Sequence, residues 1–287
     1  MILRKIFWKL GFKNESLYMF MAGFLIALAG IVIGKIIFSQ NIGLVAVFLT
    51  ALAAISLVDK QISISELLLG RTKRAGGKLL ILDEIITVQH TVTLKSVYAD
   101  HKNLFRTYLF LFLGIMLCYS SVIMVLPQEQ VEKIFGEQFK IISGNALNPL
   151  QTFTEIIVNN FFVLLTGFFL ALLFEFGTTF IIVWNASVWG TAFALAAKTP
   201  FLQLSENPLI NFALIMAIVF PHLVLEIISY FASTIAGGLL NKALILEETW
   251  STRFKIIATH STLIFLFGLL VLGLAAIVET IVIIILE

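Results

Sequence analysis

Charge is the scarcest thing in this chain. Only 13% of its 287 residues are Asp, Glu, Lys or Arg, where a soluble domain carries about a quarter. Hydrophobic residues make up 60%, and mean hydropathy is +1.03. No large soluble domain fits between the apolar runs, so the composition is that of a polytopic membrane protein. A net charge of only +2, with no basic-aromatic pattern, excludes nucleic acid as a partner. Cysteine occurs once, at Cys118 inside an apolar run. That excludes a disulfide framework and a Cys-based zinc site, and leaves Cys118 as a small buried hydrophobe.

Catalytic motifs are equally sparse. The sequence holds no His-Glu-x-x-His, no Gly-x-Ser-x-Gly and no glycine-rich phosphate loop. Glu247-Glu248 followed by Arg253 is similar to the Glu-Glu-x-x-x-Arg element of prenyl-protease-like membrane enzymes, but the spacing is one residue too long. It is read as a solvated charge cluster. His90, His101 and His260 are placed outside the membrane or at its edge, with nothing to gather them into a metal site. The expectation is a non-enzyme that uses no cofactor.

What the chain does have is long apolar runs. A spanning helix needs about 20 apolar residues. The candidates are Leu17–Phe38, Ile42–Val58, Leu104–Leu126, Phe153–Phe174, Thr178–Ala197, a longer region Leu209–Ile245, and Ile256–Ile285. The fold class is therefore all-α, with about seven transmembrane helices. The first run follows a basic N-terminus, as in a signal peptide, but exceeds the roughly 7–15 residues of an h-region and reads as an uncleaved span. Only Glu175, Phe176 and Gly177 separate the fourth and fifth runs, which predicts a tight hairpin with glycine at its bend.

Seven spans put the termini on opposite sides. With the N-terminus in the cytoplasm, fifteen of the nineteen basic residues fall inside; Lys35, Lys133, Lys140 and Lys198 fall outside. The excess of inside charge favours that orientation in a cell membrane, with the C-terminus outside. The chain divides into a two-helix hairpin (1–59), a cytoplasmic segment (60–103) and a helical membrane core (104–287). The cytoplasmic segment carries a glycine-hinged basic patch, Arg71-Thr-Lys73-Arg74-Ala-Gly76-Gly77-Lys78, attractive to anionic headgroups. From Leu79 it is expected to become helical and continue into the third span. The outer segment Pro127–Gln151 is expected to hold an amphipathic helix.

The sixth run is the most informative. Helical throughout, it would measure about 55 Å, against a bilayer core of about 30 Å. Pro221 removes one backbone hydrogen bond within it. A broken element is expected: residues 209–220 as a re-entrant or interfacial half-helix, then a full span from His222 to about Leu244. His222 and Glu226 share a helical face. Ionisable groups in hydrocarbon cost several kcal/mol unless they pair or face a cavity. The face continues through Ser229, Ser233 and Gly237. For those three, close helix packing is the favoured reading. For His222 and Glu226, a structural clasp and a pathway for ions, protons or a solute stay equally open. Asn159-Asn160, read as opening the fourth span, and Asn185, in the middle of the fifth, complete the expected intramembrane polar cluster. Alone, Asn185 reads as interhelical glue.

Several of these residues fall in a recognisable order. Asn159-Asn160, Gly167, Trp184-Asn185-Ala-Ser-Val-Trp-Gly190, Pro221-His222-Leu-Val-Leu-Glu226 and Ile235-Ala236-Gly237-Gly238 together resemble the stage II sporulation protein M family. The resemblance covers roughly residues 150–245. Ala186 stands where the family has glycine, and so does Leu223 after the histidine. In spore formers the resemblance implies a membrane scaffold that localises cell-wall hydrolases. The expected partners are the lipid bilayer and other membrane or envelope proteins. Gly30-x-x-x-Gly34 in the first span adds a possible homo-oligomer contact, with intramolecular packing as its default. The alternative is a permease or channel subunit passing an ion or small solute through the polar cluster.

Overall fold

A computed structural model describes residues 14–69, 74–75, 78–79, 94–142, 149–174, 177–198 and 205–286. Its described elements are α1 (Glu15–Ile37), α2 (Ile42–Leu69), a two-residue ladder of β1 (Arg74–Ala75) with β2 (Lys78–Leu79), α3 (Leu94–Val125), α4 (Gln128–Ile142), α5 (Pro149–Leu173), α6 (Gly177–Lys198), α7 (Pro208–Leu246) and α8 (Thr252–Leu286). The described residues are all-helical in their regular structure apart from that ladder. Among the described residues, six helices are long and apolar enough to cross a membrane: α1, α3, α5, α6, α7 and α8. The seventh expected span corresponds to Ile42–Ile55 of α2, a shorter apolar stretch. The residues between Leu79 and Leu94, and most of the basic patch, lie outside the described residues.

Two groups of helices share a wall. α1, α2 and α3 pack together on one side, α5, α7 and α8 on the other, and α6 lies between α3 and α7. The hairpin at the N-terminus is thus built into the core, and α2 runs past the expected boundary at residue 59 to Leu69. Small residues set the approach of α1 to α3: a Cβ on Gly114 would run into the Phe20 carbonyl, and one on Gly23 would lie 2.6 Å from the Leu111 carbonyl. Gly30 is packed the same way inside the molecule, against Ala46 and Thr50 of α2. Gly177 opens α6 and packs against the Leu170 carbonyl at the end of α5, so the expected hairpin bend is a helix start. α4 is amphipathic as its sequence suggests: Val131, Ile134 and Phe135 are buried, whereas Glu129, Glu132 and Lys133 are exposed.

The expected break at Pro221 does not occur. α7 is a continuous helix of 39 residues with Pro221 inside it, and residues 209–220 are its first turns, not a separate half-helix. Its start is dictated locally. Asn207 accepts from the amides of Leu209 (2.9 Å) and Ile210 (3.5 Å), and Pro208 takes the first turn, where no donor is required. Proline withholds one hydrogen bond, from the carbonyl of Ala217. Every other backbone group of a membrane segment still has its best partner in the helix, so one lost bond does not open it. Ala217, Phe220 and Pro221 also lie on the exposed side of α7, where the ring crowds no neighbouring helix.

Two substitutions test this packing. Gly114→Ala should lower thermal stability in detergent by about 1–3 kcal/mol, because the methyl group displaces α1 from α3. Pro221→Ala should leave the helix content unchanged and the protein no less stable, by circular dichroism and thermal unfolding; a loss of folded protein would show that the proline has a packing role.

Candidate functional site

The polar groups of the α5–α7–α8 junction are arranged in two tiers. In the first, hydroxyls and amides donate to main-chain carbonyls of a neighbouring helix. Ser233 Oγ donates to the Leu164 carbonyl at 2.6 Å, Asn241 Nδ2 to Leu172 at 2.6 Å, and Ser261 Oγ to Ala236 at 2.8 Å. From α6, Thr178 Oγ1 donates to Thr234 at 3.2 Å. A Cβ on Gly237 would meet the Phe168 carbonyl, and one on Gly268 would lie 3.1 Å from the Ser229 carbonyl. Ser233 and Gly237 therefore serve close approach of α7 to α5.

The second tier surrounds Glu226, which is buried on α7. Asn160 Nδ2 of α5 donates to Glu226 Oε1 at 2.7 Å, a hydrogen bond between helices far apart in sequence. Asn159 Nδ2 approaches Asn160 Oδ1 at 3.5 Å, and Asn159 itself is exposed. The asparagine pair stands well inside α5, not at its start. From α8, Glu279 reaches Glu226 in hydrogen-bonding contact, and Tyr230 lies within electrostatic range of both carboxyl groups. The Nδ1 of His222, the Oγ of Ser229 and the Oε2 of Glu279 are buried without a hydrogen-bond partner. Asn185, the remaining member of the expected cluster, gives its amide to the Ile181 carbonyl of its own helix at 2.8 Å.

Sequence reasoning passed over Glu279 and Tyr230. Glu279 is the one acidic residue inside the last apolar run, and the argument applied to Glu226 applied to it unchanged: a carboxyl at that depth needs a companion. His260, expected at the membrane edge, is buried in α8. Arg253, partly exposed, pairs with the more covered Glu247 at 3.3 Å, and Glu248 beside it is exposed. Among the described residues, no three His, Cys, Asp or Glu side chains converge as a metal site would require.

Residues 107–282 match the sequence profile of the family described as stage II sporulation protein M. The chain belongs to the stage II sporulation protein M family. The match takes in α4 to α7 and most of α3 and α8, a wider stretch than the motifs around residues 150–245 alone. The whole carboxyl–amide junction falls within the family's extent. No curated protein and no solved structure matches the chain.

The Asn160–Glu226 contact is open to a direct test. Asn160→Leu keeps the branched shape of the side chain but leaves the Glu226 oxygen without its donor, at a cost of about 1–3 kcal/mol. In a cycle with Glu226→Leu, which removes the acceptor, the two changes should couple by about 0.5–3 kcal/mol in thermal unfolding. Additive losses would mean that the contact carries no energy.

Proposed function

We propose that this member of the stage II sporulation protein M family is a non-enzymatic membrane scaffold, anchoring partner proteins of the membrane or envelope. The N-terminus lies in the cytoplasm and the C-terminus outside, as the distribution of basic residues favours. The observation that carries this reading is the first tier of the junction. Ser233, Asn241, Ser261 and Thr178 all spend their donors on neighbouring main chain, which is how a rigid helical platform is held together. Partners would meet the lipid-facing helix surfaces, the segment 60–103 and the outer segment 127–151; a second copy of the chain is one such partner.

One observation favours the second reading, in which the protein passes an ion or small solute. Glu226 and Glu279 meet at the junction, and His222, one turn before Glu226 on α7, has a buried Nδ1 without a hydrogen-bond partner. A platform alone needs neither. The two readings separate on His222→Ala. A scaffold keeps its cross-linked partners in native membranes and shows no His222-dependent flux in liposomes. A transporter loses flux while the folded yield persists.

Topology is testable without background, because the single native thiol, Cys118, is buried. A membrane-impermeant maleimide applied to intact cells should label Lys140→Cys and spare Lys73→Cys. The reverse pattern would invert the orientation and with it the face offered to partners.

A further inference from the structure

We propose that the cavity where α1 stops and α2 starts binds the headgroup of one anionic phospholipid, with its phosphate held by Lys35 and Lys133. The cavity measures about 430 Å³, within the range of roughly 300–1,000 Å³ usual for small-molecule sites. Its walls are the last turn of α1 with the residues that follow, the first residue of α2, and the first turns of α4. It therefore lies at one end of the bundle, the end where α3 gives way to the amphipathic α4.

Charge is the first argument. Two separate helices bring an ammonium group to the cavity, Lys35 from α1 and Lys133 from α4. Lys35 Nζ donates to Gln130 Oε1 of α4 at 3.4 Å, which fixes its reach across the cavity. Gln130 thereby spends its oxygen and keeps its amide hydrogens, donors suited to a phosphate oxygen, and Ser39 adds a hydroxyl. Glu129 lines the cavity as well, one turn before Lys133, at a spacing where glutamate and lysine can pair. Among the described residues neither lysine makes an ion pair, with Glu129 or with any other carboxylate. Glu132 stays outside the lining and accepts from Gln128 at 3.1 Å. Lys198, at the same end of the bundle, is already committed to the carbonyls of Ile123 and Leu126. Two ammonium groups against one carboxylate leave a single positive charge, which one phosphodiester balances. The first residue of α2, Ile42, also faces the cavity, and a helix start favours an anion.

The apolar surroundings make the occupant a lipid and not a free phosphate. Phe38, Ile42 and Ile134 share the lining with the charged groups, so the cavity suits an amphiphile. Ile36 and Ile37, directly after Lys35, are largely exposed. Such groups belong in hydrocarbon, so the lipid phase reaches the level of the lysine, where a long cationic side chain lies at the headgroups. Exposed apolar faces lead away from the cavity along both helices: Ile36 and Val32 on α1, Leu44, Phe48 and Leu52 on α2. Acyl chains laid on those faces bring a phosphate to Lys35 and Lys133. The bound lipid would fasten α4 to the α1–α2 hairpin. This site is separate from the basic stretch that follows the other end of α2, and it stands whether the protein scaffolds or transports.

The experiment is native mass spectrometry of the full-length purified protein in detergent, titrated with palmitoyl-oleoyl phosphatidylglycerol or with the matching phosphatidylcholine. The first phosphatidylglycerol should bind about tenfold more tightly than the first phosphatidylcholine. Lys35→Gln combined with Lys133→Gln should remove that preference, whereas Lys255→Gln, exposed near the start of α8, should leave it intact. If the double variant fails to fold, Lys133→Gln alone, which breaks no hydrogen bond or ion pair among the described residues, should weaken phosphatidylglycerol binding severalfold. Glycerol 1-phosphate in large excess should not displace the lipid. Equal binding of the two lipids would overturn the proposal, as would a preference untouched by the variant that folds. An equal loss in Lys255→Gln would reduce the effect to diffuse attraction, and displacement by glycerol 1-phosphate would make the occupant a soluble anion; either result also overturns it.

Discussion

A carboxyl group taken out of water must be met by other polar groups, and hydrocarbon supplies none. In this protein that requirement falls on Glu226, and three helices answer it. Asn160 comes from α5 and Glu279 from α8, so α7 cannot drift from either without stranding the carboxyl. The other features of the junction make this convergence possible. Gly237 and Gly268 remove the side chains that would hold the helices apart, and Ser233 and Ser261 fix the resulting distance by bonding across it.

The same logic extends to the other half of the bundle with a different balance of forces. α1 and α3 meet through Gly23 and Gly114, where main chain touches main chain and dispersion does the work. α6 then joins the halves. Ser120 of α3 donates to the Gly190 carbonyl of α6 at 3.0 Å, and Lys198 at the end of α6 neutralises the exposed carbonyls at the end of α3. These contacts are placed where a helix end or a close crossing leaves a carbonyl in reach.

How much of this the residues disclosed in advance follows from what each signal depends on. Long apolar runs depend only on composition, and they located the helices well. Asn207-Pro208 is a local start signal and marks where α7 begins. Pro221 was misleading because the usual penalty for proline is calibrated in water, where a broken helix finds new partners; in lipid the intact helix remains the better state. Membership of the Glu226 site could be read for residues near it in sequence or in the shared motifs. Glu279 lay outside those motifs, and only the antiparallel packing of α7 and α8 brings it there. Asn185 shows the opposite failure: a suggestive residue type whose donor is satisfied within its own helix.

The uninterrupted course of α7 has one more consequence. At 39 residues it measures about 58 Å, and its antiparallel neighbour α8, at 35, about 52 Å. Both exceed the thickness of any ordinary bilayer core. The early turns of α7 carry exposed Leu209, Ile210, Leu214 and Phe220, apolar groups with no reason to stand in water. The pair must lean steeply or thicken the lipid around it, and either response is graded by lipid chain length. Because α7 and α8 are fastened along their length, at Ser261, Gly268 and Glu279, the pair tilts as one body, and the thickness of the surrounding membrane bears on its angle.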